Sequence, residues 1–251
     1  MDLTILGCGG TWPGKGGACS GYLVREDGFN LWIDLGTGTL ANLQRTIDLL
    51  DVDAVIVSHA HPDHFVDLYP YFYARLFDPS HPSALPLFTP PGAFDRIASL
   101  LSGSGAGIDN MRRVFDARTV EPGEQFRAGP FTVRTQPMCH TVPTLGMRVE
   151  GSDGATLAYS ADTGPTDELV DLAWHTDLLL SEATMGAEQQ SRNPIHLTGR
   201  QAGEHAARAG TGRLVLTHLW PSTDRDRVRL EAASAYDGPL ELAAEGMEVT
   251  I

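Results

Sequence analysis

The sequence predicts an α/β fold, because short apolar runs alternate with segments of helical spacing along the whole chain and several of those runs stop at a histidine or an aspartate. The 251 residues can bury a sizeable core as one domain spanning 1–251, and neither an interdomain linker nor a repeat of solenoid period is visible. Leu3-Thr4-Ile5-Leu6-Gly7 reads as a first strand running into a glycine-rich loop, and Leu31-Trp32-Ile33 as another, ahead of Asp34-Leu35-Gly36. Leu40 to Leu50 has helical spacing, Ala54-Val55-Ile56-Val57 is a buried strand, and Phe65 to Leu76 and Gly92 to Leu101 are helices. Ser102-Gly103-Ser104-Gly105-Ala106-Gly107 reads as a surface linker ahead of a substrate lid. Phe131 to Gln136, Thr156 to Ala161 and Arg213 to Thr217 are strand-like. Thr198 to Ala209 has the clearest ends of any helix: Thr198 and Gln201 are spaced as a capping box and Gly210 is the stop, although Gly199 and Gly203 weaken its interior. Asp224 to Ala235 is the last helix.

The densest chemistry lies in His59-Ala60-His61-Pro62-Asp63-His64, directly after the Ala54–Val57 run. Three imidazoles and a carboxylate form the donor set of zinc and its transition-metal neighbours, and burying four such groups together without a cation would be costly. One turn cannot wrap an ion, so other segments must complete the coordination. His140, Asp162 and His218 each stand where a strand-like run stops, which is where a sheet exposes residues that can build a site. Asp162, before Thr163-Gly164-Pro165, also reads as a turn residue.

Eighteen basic against thirty-two acidic residues give a net charge of −14, the wrong sign for a surface that binds long nucleic acids. Cys8, Cys19 and Cys139 are an odd set without zinc-finger spacing, so a disulfide framework is not expected. If the chain is still extended at Cys139, that thiol faces away from His140 and into the core. No apolar stretch approaches a membrane span and Met1-Asp2-Leu3 begins a strand without a basic leader, so a cytoplasmic protein without a membrane partner is expected.

In order, His59, His61, Asp63, His64, His140, Asp162 and His218 resemble the His-x-His-x-Asp-His, His, Asp, His signature of the metallo-β-lactamase-fold hydrolases. The resemblance implies an αββα sandwich, two mixed sheets flanked by helices, with metals at one sheet edge. It further implies two divalent metal ions, zinc first with manganese or iron as alternatives. His59, His61 and His140 would hold one, Asp63, His64 and His218 the second, and Asp162 would bridge them.

Within that superfamily the chain is most similar to the ribonuclease Z and cyclic-nucleotide phosphodiesterase branch. Glu182-Ala183-Thr184 resembles the branch's His-Glu-Ala-Thr motif, with Ser181 in place of the leading His, and His196-Leu197-Thr198 resembles its His-Ser-Thr motif. The resemblance makes Glu182 and His196 a proton-shuttling pair and gives the catalytic set as His196, Glu182 and the metal-binding Asp63. Read without it, Glu182 is a solvated strand end and His196 a residue just ahead of a helix capped by Thr198. Two cations about 3.5 to 4 Å apart can clamp the attacking and leaving oxygens of a phosphodiester and bring the pKa of a water towards neutrality.

Ribonuclease Z proteins often carry a tRNA-gripping arm between the equivalents of His140 and Asp162, where this chain has only the twenty-one residues from Thr141 to Ala161. A small-molecule phosphodiester substrate, a cyclic nucleotide first, is therefore expected. A tRNA 3′-processing endonuclease is the alternative, followed by a lactonase or β-lactamase-like hydrolase and then a non-enzymatic metal-stapled module. Tyr69, Tyr71, Phe72 and Tyr73 are expected to pack in the core ahead of stacking on a base, and a homodimer is left open.

Overall fold

Successive side chains of a strand point to opposite faces, and here both faces are apolar. Leu31 and Ile33 enter one core layer while Trp32 between them enters another, and Val215 is flanked in the same way by Leu214 and Leu216. Sheets of this kind must be covered twice. The computed structural model, which describes residues 1–80, 82–101, 106–186 and 194–251, shows how. Two seven-stranded sheets pack face to face, and helices cover the outer face of each, giving the expected αββα layers.

The first sheet has the order β14 (Glu248–Thr250), β1 (Asp2–Gly7), β2 (Gly21–Glu26), β3 (Phe29–Ile33), β4 (Ala54–Ile56), β5 (Leu85–Thr89) and β6 (Phe115–Thr119). The second runs β13 (Leu240–Leu242), β12 (Leu214–Thr217), β11 (Leu178–Glu182), β10 (Thr156–Tyr159), β9 (Leu145–Glu150), β8 (Phe131–Pro137) and β7 (Gln125–Ala128). In the first sheet β14 to β3 pair antiparallel and β3 to β6 parallel. The second repeats this division, antiparallel from β7 to β10 and parallel from β10 to β13. Both sheets are therefore mixed. The C-terminal ends of β3, β4, β10, β11 and β12 lead into one edge of the sandwich, the usual place for a ligand in a parallel sheet. Backbone bonds tie the sheets together there, from Leu145 N to Ser58 O at 3.0 Å and from Leu219 N to Cys8 O at 3.1 Å.

The first sheet's outer layer holds α1 (Thr39–Leu43), α2 (Pro62–Phe65), α3 (Leu68–Leu76), α4 (Ala93–Ser99) and α5 (Ala106–Val114). Trp32 is wholly buried there against Tyr71, with ring centroids 5.4 Å apart, and Trp32→Ala would cost about 3–5 kcal/mol. The other layer holds α6 (Asp167–Leu172), α7 (Gly199–Ala209) and α8 (Arg225–Ala233). Among the described residues no helix is long and apolar enough to cross a membrane.

Several elements differ from expectation for identifiable reasons. The helix expected over Leu40 to Leu50 stops at Leu43, and a 3₁₀ turn at Leu49–Asp51 follows extended Asp48; β-branched Thr46 and Ile47 favour the break. The helix expected from Phe65 to Leu76 is two helices, because Pro70 has no N–H for the Val66 carbonyl and its ring would clash with that carbonyl in a continuous helix. Pro62 instead starts α2 as its first residue. Of the expected linker, residues 102–105 lie outside the described residues, while Ala106 and Gly107 open α5. Helix α6 had no counterpart in the sequence reading.

The capping box on α7 is present in full, and Gly210 ends the helix in the left-handed region at φ 62°. Gly199 and Gly203 weaken that helix locally but allow its approach to α8. A Cβ on them would stand 2.4 Å from Val228 O and 2.5 Å from Ala232 O.

Candidate metal centre and active site

Strand β4 delivers Ser58 and His59 to the sheet edge, His61 stands in extended conformation at the N-cap of α2, and Asp63 and His64 occupy that helix's first turn. His140 follows β8, Asp162 follows β10 and His218 follows β12. The structure brings all seven together as two four-membered groups that share Asp162. In the first, His61 Nδ1 lies 3.1 Å from His59 Nε2 and 3.0 Å from His140 Nε2, while Asp162 Oδ2 lies 3.6 Å from both Nε2 atoms. In the second, His218 Nε2 lies 3.1 Å from His64 Nε2 and 3.2 Å from Asp63 Oδ2, with Asp162 Oδ1 3.1 Å from His64 Nε2 and 3.3 Å from His218 Nε2.

These spacings fit a metal. Nitrogens about 2.0–2.1 Å from one tetrahedral ion are about 3.3 Å apart, so donor atoms packed in this way leave a common centre. Buried Asp162 Oδ1 has only the imidazole nitrogens of His64 and His218 within 3.3 Å, an oxygen and two nitrogens turned towards one point, as a cation would require.

The ring nitrogens turned away from the two centres are held from behind, the usual support for histidine ligands. His64 Nδ1 donates to Asp34 Oδ2 at 2.8 Å, His59 Nδ1 to Ser58 Oγ at 3.0 Å, His218 Nδ1 to Thr184 Oγ1 at 2.7 Å, and His140 Nδ1 to Ile195 O at 3.0 Å. Asp34 is the hub of this outer layer. Its carboxylate also accepts from Ser58 N at 2.7 Å, Ser58 Oγ at 2.8 Å and, across the sheets, Tyr159 Oη at 2.8 Å. Asp63 Oδ2 is supported separately by Thr11 N at 2.8 Å.

Burial, with like-charged neighbours, lowers the pKa of His59, His61 and His140. It opposes ionisation of Asp63 and Asp162 as well, but the surrounding imidazoles outweigh it and hold both carboxyls well below their usual range. Neutral imidazoles and ionised carboxylates are the forms that bind cations. His64 moves the other way: burial disfavours its charge, yet Asp162, Asp34 and Asp63 overcome that and favour a positive charge in their midst.

Glu182 is fully buried at the end of β11, not solvated, and its carboxylate is fixed by Thr163 N at 2.7 Å and by Thr184 N and Leu197 N at 3.2 Å each. It accepts from His196 Nδ1 at 2.9 Å, and that nitrogen lies 4.0 Å from Asp162 Oδ2. The His196 side chain is 14 % exposed. Burial lowers its pKa, but the charge and hydrogen bond of Glu182 outweigh that and push it up to about 9. The pair can thus hold a proton beside the two donor groups.

Cys139 is exposed, against expectation. Strand β8 ends at Pro137 and His140 N bonds back to Met138 O at 3.0 Å, so the alternation is lost and Met138 takes the buried side. Tyr71 and Phe72 pack in the first sheet's outer layer, Tyr69 is tied to Ile97 O, and Tyr73 lies on the surface against Phe77.

A family model described as a beta-lactamase superfamily domain matches residues 29–219. The chain belongs to that superfamily. Within it the chain is a metal-dependent hydrolase, in keeping with its similarity to the probable metallo-hydrolase YhfI of Bacillus subtilis. The two are 30% identical over 255 residues, 98% of each chain. The crystal structure of YhfI superposes with a TM-score of 0.89 at 28% identity, covering 99% of this chain and 98% of that one. An uncharacterized protein of Mycobacterium tuberculosis is 38% identical over 242 residues, 96% of this chain and 88% of its own. A ribonuclease Z of Mycobacterium bovis is 30% identical over 267 residues, 96% of this chain and 95% of its own.

The sequence reading missed the supporting residues Asp34, Ser58, Thr184, Tyr159 and Thr11. Asp34 carries a local signal, an acid placed directly after an apolar strand, and Thr184 belongs to the Glu182-Ala183-Thr184 motif; the others carry none.

Proposed function

We propose that this hydrolase is a dinuclear phosphodiesterase acting on small phosphodiesters, with cyclic nucleotides first among them. One observation carries the reading: Asp162 turns one oxygen to each donor group, and the His196–Glu182 pair stands beside it. Two divalent ions held there, zinc first with manganese or iron as alternatives, would supply Lewis-acid stabilisation of the phosphoryl oxygens and ease deprotonation of a water. Asp63 and Asp162 serve mainly as ligands. His196 gives its proton from Nε2 to the departing ribose alkoxide, while Glu182 accepts the Nδ1 hydrogen bond and keeps the ring oriented and protonated.

The chain between His140 and Asp162 favours a small substrate. Strands β9 and β10 and a turn closed by Gly154 N to Gly151 O at 3.2 Å take up most of it, leaving too little for a protruding arm. The net charge of −14 also disfavours a long polyanion. A tRNA 3′-processing endonuclease is the second reading, favoured by the 30% identity to a ribonuclease Z over nearly the full length of both chains.

The metal-loaded protein should be assayed against 3′,5′-cyclic nucleotides, linear phosphodiesters, lactones and precursor tRNA. Turnover of cyclic nucleotides with poor tRNA cleavage is expected. Efficient cutting of precursor tRNA beside inert cyclic nucleotides would reverse the order of the two readings.

A further inference from the structure

We infer that Trp12 and Trp220 form a stacking platform that selects substrates carrying a nucleobase. The inference rests on the phosphodiesterase reading above and names the part of the substrate that the metals do not hold. Trp12 belongs to the glycine-rich loop after β1, and Trp220 follows His218 by two residues. Their ring centroids are 5.8 Å apart with planes inclined by 34°.

The pair is wired to the second donor group. Trp220 Nε1 donates to Thr11 Oγ1 at 2.9 Å, and Thr11 N donates to Asp63 Oδ2 at 2.8 Å. Thr11 itself adopts φ 61°, left-handed backbone that a threonine rarely takes, so the loop is held in place beside the ligand at a conformational cost.

Neither indole belongs to the three core layers, and Trp12 is 44% exposed. Core packing therefore does not account for them. Trp220 also lines a cavity of about 210 Å³, whose other walls include Ser222, Thr223, Asp224 and Val228. At about 30 Å³ per water molecule it has room for roughly seven waters, the scale of one base and not of a polynucleotide. The hydroxyls of Ser222 and Thr223 and the charged side chains of Arg227 and Glu231, which also line it, offer donors and acceptors for the edge of a base. A nucleobase is planar and uncharged, so it can approach a chain of net charge −14 without repulsion while the phosphate turns to the cations. Base–aromatic stacking is the matching interaction.

The test compares a 3′,5′-cyclic nucleotide with the same cyclic ribose phosphate lacking its base. Trp12→Ala should raise KM for the nucleotide by roughly 10- to 100-fold with little change in kcat, the range expected for one lost stacking partner. The base-free compound should respond much less, and Trp12→Phe should recover most of the loss. Trp174→Ala, which removes an exposed indole at the end of α6, should act on neither substrate. Nucleoside monophosphate should also quench indole fluorescence of the metal-loaded protein, and Trp12→Ala should abolish most of that signal. Equal KM changes on both compounds, or nucleotide binding that is the same in wild type and Trp12→Ala, would overturn the platform. If no cyclic nucleotide is turned over but the Trp12-dependent quenching persists, the substrate assignment fails and the platform stands.

Discussion

The two sheets contribute to the candidate metal centre in opposite ways. The first supplies four donors, His59, His61, Asp63 and His64, from six consecutive residues that run from the end of β4 into the first turn of α2. The second supplies His140, Asp162 and His218 from three separate strand ends, and Glu182 comes from a fourth. A compact turn positions its donors by local geometry, whereas scattered donors depend on the packing of the whole sheet. In return, a residue that enters from across the sandwich can face both halves of the centre. Asp162 does so, and the groups proposed to move protons lie on its side.

This division predicts that the largest loss comes from the scattered side. Asp162→Ala should lose affinity for both ions together, by more than the 10- to 100-fold typical of removing an outer-shell partner, whereas His218→Ala should mainly weaken one. Elemental analysis of the purified variants decides it; a fully loaded Asp162→Ala protein would end the bridging assignment.

His196→Ala should come next, slowing a cyclic nucleotide by about 10² to 10⁴-fold while leaving metal content intact. A p-nitrophenyl phosphodiester, whose leaving group needs no proton, should lose much less. Equal losses on both substrates would make His196 a transition-state binder.

On the compact side, Asp34→Asn should weaken metal binding by about 10- to 100-fold, because Asp34 holds His64 directly and His59 through Ser58. Competition against a chelator measures this, and wild-type affinity would show that the turn positions its ligands without the hub.

The smallest effect concerns pH. Burial lowers the His196 pKa, but Glu182, with a smaller contribution from Asp162, outweighs this and raises it from 6.5 to about 9, so the protonated acid persists to higher pH and is lost as pH rises through that value. Glu182→Gln should move the alkaline limb of the kcat profile to lower pH. A limb that stays in place belongs to another group.

The same division explains what could be read in the sequence. The His59–His64 turn was legible because its four donors are contiguous, and the α7 capping box because its partners lie three residues apart. His140, Asp162 and His218 stand out as candidate ligands because each follows a strand-like run, but their division between two ions and the bridging role of Asp162 come only from the family resemblance. Asp34 could not be recognised as a hub because its partners Ser58, His64 and Tyr159 meet only in three dimensions. Cys139 lies two residues beyond the end of β8, where the period-2 alternation that would bury it no longer holds. The split between α2 and α3 was available from Pro70, whose missing N–H forbids a continuous helix.

Strand β14 pairs with β1, Thr250 opposite Asp2, although nearly the whole sequence lies between them. Contacts so distant along the chain form late, since the entropy of closing the intervening loop must be overcome before they contribute. A nascent chain therefore exposes the His59–His64 turn well before Asp162 and His218 have been made, and the first sheet gains its last edge strand only after the second sheet's strands have been synthesised. Order of synthesis is thus built into the topology: the His59–His64 turn offers only two of the four donors in each candidate group until the second sheet's strands have been made.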